Sequence, residues 1–362
     1  MRLLILISLV IAIIISLAVF FMNSSSQKKT PSSNQLLQPF GSAKEAAPTK
    51  IIPPLSIDRL FDSTIENHDT TMVVTGDVIP GRSVNRIVRE KNDFLFPFRE
   101  TADVVKDADI TLINLEAPLT KECPTTNEGM TFCGDQRFVD GFTFAGIDVA
   151  SLANNHTSNY GKEGIDQTIQ LLKEKGIKTV GANAFDFITA KDTRFAFLAY
   201  NGVVPLDSNL NPIDKDVIAS DIAKAREHAD VVIVSYHWGA EYERTPVIAP
   251  GIASDDPIEI GHFTIDAGAD VVVGNHPHWY QGIEIYKDKP IFYALGNFVF
   301  DQFWSEETKK GFLAKLYIAD NKVVDIELFP IYIDGVQPKF VQGAMKEEIL
   351  STVKEESKKL TN

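Results

Sequence analysis

The segment Val271-Val272-Val273-Gly274-Asn275-His276-Pro277-His278 passes in a few residues from an apolar run to a polar cluster. A short apolar run bounded by turn signals reads as a buried strand. The same change recurs upstream. Met72–Thr75 leads into Gly76-Asp77, Ile110–Ile113 into Asn114-Leu115-Glu116, Val149–Leu152 into Asn154-Asn155-His156, and Val231–Ser235 into His237-Trp238-Gly239. Phe195–Tyr200 is a further strand-like run. Between these runs, Ile165–Lys175, Val217–His228 and Pro257–Ala267 carry apolar residues at helical spacing, and Gly176 and Gly268 stand where helices should stop. Strands alternating with helices predict an α/β chain. In open α/β sheets ligands sit outside the carboxyl ends of the strands, so these polar clusters are expected to converge on one place.

Working outward toward the C-terminus, Phe292–Ala294, Phe312–Ile318 and Val323–Pro330 also read as strands. The last two are joined by Ala319-Asp320-Asn321-Lys322 as a hairpin, so the sheets are expected to be mixed. Met345–Leu360 predicts a charged, solvated surface helix, and no internal repeat is present.

Toward the N-terminus, Leu3–Met22 contains no charge and is long enough to span a bilayer at roughly 1.5 Å rise per residue. A cleaved signal peptide is the rival reading, but its apolar region is normally about 7–15 residues and ends in small residues, whereas this run ends in Phe20-Phe21-Met22. An uncleaved single-pass anchor over residues 1–22 is expected, with the large domain extracytoplasmic at the cell membrane. Residues 23–69, rich in Ser, Gln, Pro, Lys and Ala, form the expected disordered linker, within which Leu55–Ile65 is a short amphipathic piece suited to pack on the domain. One domain over residues 70–340 and a helical tail over 341–362 complete the layout. At 362 residues and 44% hydrophobic content, the chain can bury a large core.

The two cysteines, Cys123 and Cys133, lie in a stretch of turn-forming and polar residues. Without a Cys-x-x-Cys spacing they make a poor zinc site, and a disulfide in an oxidising compartment is the preferred reading, with free thiols as the alternative. Closing such a loop is worth roughly 3 kcal/mol in the chain-entropy model. A formal net charge of −14 disfavours nucleic acid and anionic lipid as nonspecific partners. An anionic substrate would have to be captured locally, as a metal centre can do.

The strand-end side chains have the chemistry of such a centre. Imidazole suits zinc, iron or nickel, carboxylate and amide oxygen suit harder ions, and the mixture suits a first-row divalent ion. His276 and His278 flank one proline, a spacing that suits a loop presenting two imidazoles to neighbouring ions. Taken singly, an Asn-His pair or a Gly-Asp is more often a turn device; their shared strand-end context is what points to metal. His68, His228 and His262 lie in linker or helical contexts and read as structural.

In this order the motifs resemble the capsule synthesis protein CapA family, the poly-gamma-glutamate biosynthesis group within the calcineurin-like metallophosphoesterase superfamily. The resemblance runs from about Thr71 to Pro330. It rests on Gly76-Asp77-Val78-Ile79-Pro80-Gly81-Arg82, Asn114-Leu115-Glu116, Ala153-Asn154-Asn155-His156, His237-Trp238-Gly239, Gly274-Asn275-His276-Pro277-His278 and Leu295-Gly296-Asn297-Phe298. It implies a four-layer α/β/β/α sandwich with mixed sheets and one or two divalent ions, with manganese, zinc or iron expected. By position, Asp77 and His278 would hold a first ion with Glu116, and Glu116 would bridge to a second held by Asn155, His237 and His276. His156 resembles the residue that protonates the leaving oxygen. Arg82, Asn114, Asn154 and Asn297 are the substrate-binding candidates, Arg82 having a salt bridge as its plainer role. The superfamily pattern expects a histidine two residues after its first aspartate, and Ile79 stands there, so the first ion lacks a ligand.

Three functions are compatible with this. The resemblance implies a membrane-bound subunit working with polymer synthase and export partners on emerging poly-gamma-glutamate or another anionic envelope polymer. A free-standing extracytoplasmic metallohydrolase acting on a phosphoester or amide is the second. A noncatalytic assembly subunit that keeps the metal for folding is the third.

Overall fold

The computed structural model describes residues 54–62, 70–182 and 185–360. The expected anchor over residues 1–22, most of the linker and His68 lie outside them. Among the described residues, no helix is long and apolar enough to cross a membrane.

The strands are β1 Thr70–Val78, β2 Ile110–Leu115, β3 Leu119–Thr120, β4 Gly134–Asp135, β5 Val149–Ser151, β6 Lys178–Val180, β7 Asp186–Ala190, β8 Thr193–Asn201, β9 Val231–His237, β10 Val271–Asn275, β11 Ile283–Tyr286, β12 Lys289–Phe292, β13 Asn297–Val299, β14 Lys310–Ala319, β15 Lys322–Asp334 and β16 Gln337–Phe340. One sheet runs β16-β15-β14-β1-β2-β5-β6, with β13 pairing alongside the end of β1; a second runs β11-β12-β10-β9-β8-β7. Both are mixed, as expected. β1, β2, β5 and β6 are parallel to one another and β14 joins β1 antiparallel. β8, β9, β10 and β12 are parallel, with antiparallel β7 and β11 at the edges.

Alternation along the strands builds the layers, because successive side chains point to opposite faces. Met72 and Val74 of β1, Leu112 of β2, Phe195 and Phe197 of β8, and Ile233 of β9 share one core between the sheets. Their neighbours Val73 and Ile113 face the other way, onto Val84, Val88, Phe138 and Phe142 of the helices Arg82–Lys91 and Phe138–Ala145. Ala196, Leu198, Val232 and Val234 face the helices Lys215–Arg226 and Pro257–Asp266 through Ile218, Ile222, Ile260 and Ile265. The result is helix, sheet, sheet, helix. The fully apolar runs seen in the sequence are those of parallel strands covered on both faces.

The hairpin at Ala319–Lys322 forms as read: Ala319 pairs with Lys322, and Asp320 and Asn321 have φ of 50° and 61°, as a two-residue primed turn requires. Leu55, and Leu60 within the short helix Arg59–Asp62, are buried in the intersheet core, so this part of the expected linker packs on the domain. The C-terminal helix differs from the solvated helix expected. Gly343–Leu360 buries Ile349, Val353 and Ser357, and Ser357 Oγ accepts the backbone N–H of Ile283 on edge strand β11 at 2.8 Å. Spaced every four residues in an otherwise charged helix, these three make a narrow stripe that is easily overlooked in the sequence. They cover an edge that would otherwise present unpaired backbone groups.

Candidate metal centre

Strand register brings the polar clusters together. In the first sheet Asp77 of β1 lies opposite Asn114 of β2 and Asn297 of β13; in the second, His237 of β9 lies between Asn201 of β8 and Asn275 of β10. The β1–β2 register shifts between Val74 and Asp77, a bulge that re-aims the end of β1. Gly76 is needed within it, since a Cβ there would collide with the carbonyl oxygen of Gly296. His276 and His278 adopt φ of 99° and 58°, unusual for residues with side chains, and so turn the loop after β10 back over the strand ends.

All six expected ligands lie in one buried cluster. Asp77 Oδ2 is 3.1 Å from His278 Nδ1, and its Oδ1 accepts from Asn114 Nδ2 at 2.8 Å. His237 Nε2 is 3.0 Å from Asn155 Oδ1 and 3.3 Å from Glu116 Oε1. The rings of His237 and His276 are 4.7 Å apart, and those of His276 and His278 are 5.9 Å apart. Ligand atoms of Asp77, Glu116 and His237 all lie within 4.8 Å of one another, as do those of Glu116, His276 and His278. Glu116 belongs to both groups, as a bridging carboxylate would. The histidines group differently from the expected split, with His237 beside Asp77 and His276 beside His278, although the Asp77–His278 and His237–Asn155 contacts follow it.

Electrostatics show how the cluster is balanced. Burial and the charge of Asp77 push the Glu116 carboxyl well above the usual range. Burial opposes the charge on Asp77 as well, but the His278 ring and the Asn114 amide hold its carboxyl low. His278, despite burial, is raised to about 9 by its bond to Asp77 and by the charge of Glu116. Burial lowers His237 to about 3 and carries His276 well below its ordinary value. Both carboxylate oxygens of Glu116 and both ring nitrogens of His276 are buried without a hydrogen-bond partner among the described residues. Unpartnered buried polar groups each cost about 1–3 kcal/mol, more when charged. One ligand atom of each lies within 4.8 Å of the other and of one on His278, an arrangement that fits a cation.

The remaining candidates are placed as follows. His156 Nδ1 lies 3.0 Å from Asn159 Oδ1, its ring is 4.3 Å from that of Phe132, and burial lowers its pKa to about 4. The Arg82 guanidinium is bound by Asp301 through Nε at 3.0 Å and rests over the rings of Phe132 and Phe300. The plainer expectation, a salt bridge, is therefore what the geometry displays, in a largely buried form. Asn114, Asn154 and Asn297 are all buried, with their amides engaged inside the protein. Asn154 donates to Asn114 Oδ1 and Leu115 O and accepts from Thr157 N, while Asn297 donates to Gln302 and Thr308 and accepts from His278. Their visible task is to brace the ligands. Cys123 and Cys133 form the expected disulfide. Ile79 is fully buried with Ala117, Phe132 and Phe300, so that position supplies no ligand. His262 pairs with Glu284 and stacks on Tyr286, and His228 lies near the Phe187 ring, both away from the centre.

Some nearby groups were not foreseen. A carboxylate oxygen of Glu241 is 3.9 Å from His278 Nε2, and the Tyr242 ring lies 6.1 Å from that of His278. Both follow His237-Trp238-Gly239 by two or three residues, and that adjacency was the available signal. Asp301 and Asn159 carried none beyond following Phe300 and His156.

Fold and site together define an α/β protein with a candidate divalent-metal centre buried at the carboxyl ends of two stacked mixed sheets. The family model described as bacterial capsule synthesis protein PGA_cap matches residues 71–302, more than half of the chain, and the chain belongs to that family. It is 33% identical over 307 residues to the capsule biosynthesis protein CapA of Bacillus anthracis, covering 77% of this chain and 71% of that protein. To the PGA biosynthesis protein CapA of Bacillus subtilis (strain 168) it is 29% identical over 283 residues, covering 73% and 71%. A solved structure described as a novel phosphatase from Mycoplasma pneumoniae superposes with a TM-score of 0.49 at 14% identity, covering 74% of this chain and 95% of that one.

Proposed function

We propose that this protein is a membrane-anchored, extracytoplasmic subunit of poly-gamma-glutamate or related capsule polymer synthesis, and that its buried centre performs a metal-dependent hydrolytic step of the metallophosphoesterase kind. Family membership supports the polymer system, in which synthase and export subunits are the partners and the anionic polymer is the ligand. The anchor is Leu3–Met22. The observation that carries the metal is the unpartnered burial of Glu116 and His276.

Asp77, Glu116, Asn155, His237, His276 and His278 would hold one or two ions, Glu116 being common to the group with Asp77 and His237 and to the group with His276 and His278, with manganese, zinc or iron suited to the mixed donors. When bound, the metal supplies positive charge and Lewis acidity toward an anionic or carbonyl substrate. Asn114 fixes Asp77 and reaches His237 Nδ1 at 3.4 Å, turning Nε2 toward Asn155 and Glu116. Asn297 Oδ1 holds His278 through the same Nδ1 that meets Asp77, at 2.9 Å. His156 moves the proton, with the Phe132 ring packed on it, and Phe132 and Phe300 cover Arg82.

A second reading, a noncatalytic assembly subunit whose centre serves folding, is favoured by two observations: Ile79 contributes no ligand, and Asp301 neutralises Arg82. His156→Ala separates the two. Loss of polymer production with unchanged bound metal and melting temperature supports catalysis; if production survives both His156→Ala and Glu116→Ala, the catalytic reading fails.

A further inference from the structure

We infer that Asn159 is a positioning residue for His156, and that the disulfide-closed loop Cys123–Cys133 holds the pair so that His156 keeps its proton on Nδ1 and presents Nε2 as an acceptor. This rests on His156 being the proton-transfer group of the proposed reaction.

Asn159 Oδ1 receives the backbone N–H of Phe132 at 2.7 Å. A backbone N–H only donates, so the amide must turn its oxygen, not its NH2, to that spot. The same oxygen lies 3.0 Å from His156 Nδ1. Facing an acceptor, Nδ1 must carry the hydrogen, and a neutral imidazole then has its lone pair on Nε2. Phe132 thus constrains His156 twice, through its main chain by way of Asn159 and through its ring packed on the imidazole.

Phe132 adjoins Cys133, and the disulfide joins that end of the loop to Cys123. The loop is also fastened to the helix Arg82–Lys91. Arg89 Nη1 donates to Cys123 O at 2.9 Å, Arg82 Nη1 to Gly129 O at 3.3 Å, and Asn85 Nδ2 lies 3.3 Å from Cys123 Sγ. Opening the disulfide releases Phe132, and with it the N–H that fixes the Asn159 amide. An amide free to flip accepts or donates at Nδ1, and both tautomers of His156 become accessible.

The test reads the tautomer directly, by long-range nitrogen–proton correlation of the full chain labelled with nitrogen-15 histidine, His156 being assigned by the signal lost in His156→Gln. Expected is one tautomer with the proton on Nδ1 in the wild type and in Asn159→Asp, whose carboxylate accepts both bonds. A mixture is expected in Asn159→Leu and in the Cys123→Ser/Cys133→Ser chain. A wild-type proton on Nε2 overturns the inference, as does a single Nδ1–H tautomer in Asn159→Leu, or in Asn159→Ala should the leucine variant not fold. No substrate is involved, so absence of turnover counts against the hydrolytic reading while leaving the positioning role intact. Where turnover of a phosphodiester probe is found, kcat in Asn159→Leu should fall by about 10- to 100-fold at unchanged KM, with recovery in Asn159→Asp.

Discussion

Glu116 concentrates the energetic problem of the centre, being a fully buried carboxyl beside Asp77 with neither oxygen hydrogen-bonded to any of the described residues. Its folded-state pKa lies well above the value of about 4.3 for a free glutamate, so the folded, metal-free chain binds its proton more tightly than the unfolded chain does. The stability linked to that proton is fully present below the unfolded pKa and is lost as pH rises through the folded one. In chelated protein, Glu116→Gln should therefore melt higher than wild type, with a gap that widens from pH 5 to pH 8, while its bound metal falls sharply by elemental analysis. A gap that stays constant with pH would mean that the carboxylate is already compensated without metal. Asp77, Glu116, Asn155, His237, His276 and His278 were legible because each follows an apolar run at once. Asn159, Asp301 and Glu241 were not, because their importance lies in a partner distant in sequence or on a neighbouring loop, which no local pattern encodes.

Among the elements, the long apolar strands were readable, and of the short ones β5, with its apolar run Val149–Leu152, was readable while β13 was not. β1, β2, β8, β9 and β10 are covered on both faces and show it as continuous apolar runs. β13 is only three residues long, yet its pairing with β1 carries Asn297 to Asp77. β11 and β12 turn through Lys287 and Asp288, both at positive φ, and carry charged residues that interrupt the apolar signal. The C-terminal helix belongs with these less readable elements, since only Ile349 and Val353 of its apolar residues are fully buried. Ile349→Ala should lower stability by about 2–5 kcal/mol, the usual cost of truncating a buried aliphatic side chain, in urea unfolding followed by circular dichroism. A loss under about 0.5 kcal/mol would mean that the helix stands off the β11 edge in solution.

At the scale of the whole molecule, the two sheets are bound by a shared apolar core, but above that core their strand ends meet through the centre. β1, β2 and β13 supply Asp77, Asn114 and Asn297 from one sheet, while β9 and the loop after β10 supply His237, His276 and His278 from the other. A cation held there draws on both sheets at once, and an ion that binds the folded chain but not the unfolded one stabilises it by about 2.7 kcal/mol at a hundred times its dissociation constant. Stripping the protein with chelator should therefore lower the melting temperature, and manganese, zinc or ferrous iron added back should restore it in proportion to affinity. Magnesium should restore it less, because imidazole donors suit the softer ions. The restored shift should disappear in His276→Ala, which removes an imidazole whose nitrogens have no partner among the described residues. If none of these ions raises the melting temperature of the stripped chain, the cluster is not a metal centre, and the unpartnered burial of Glu116 and His276 would need a different ligand to explain it.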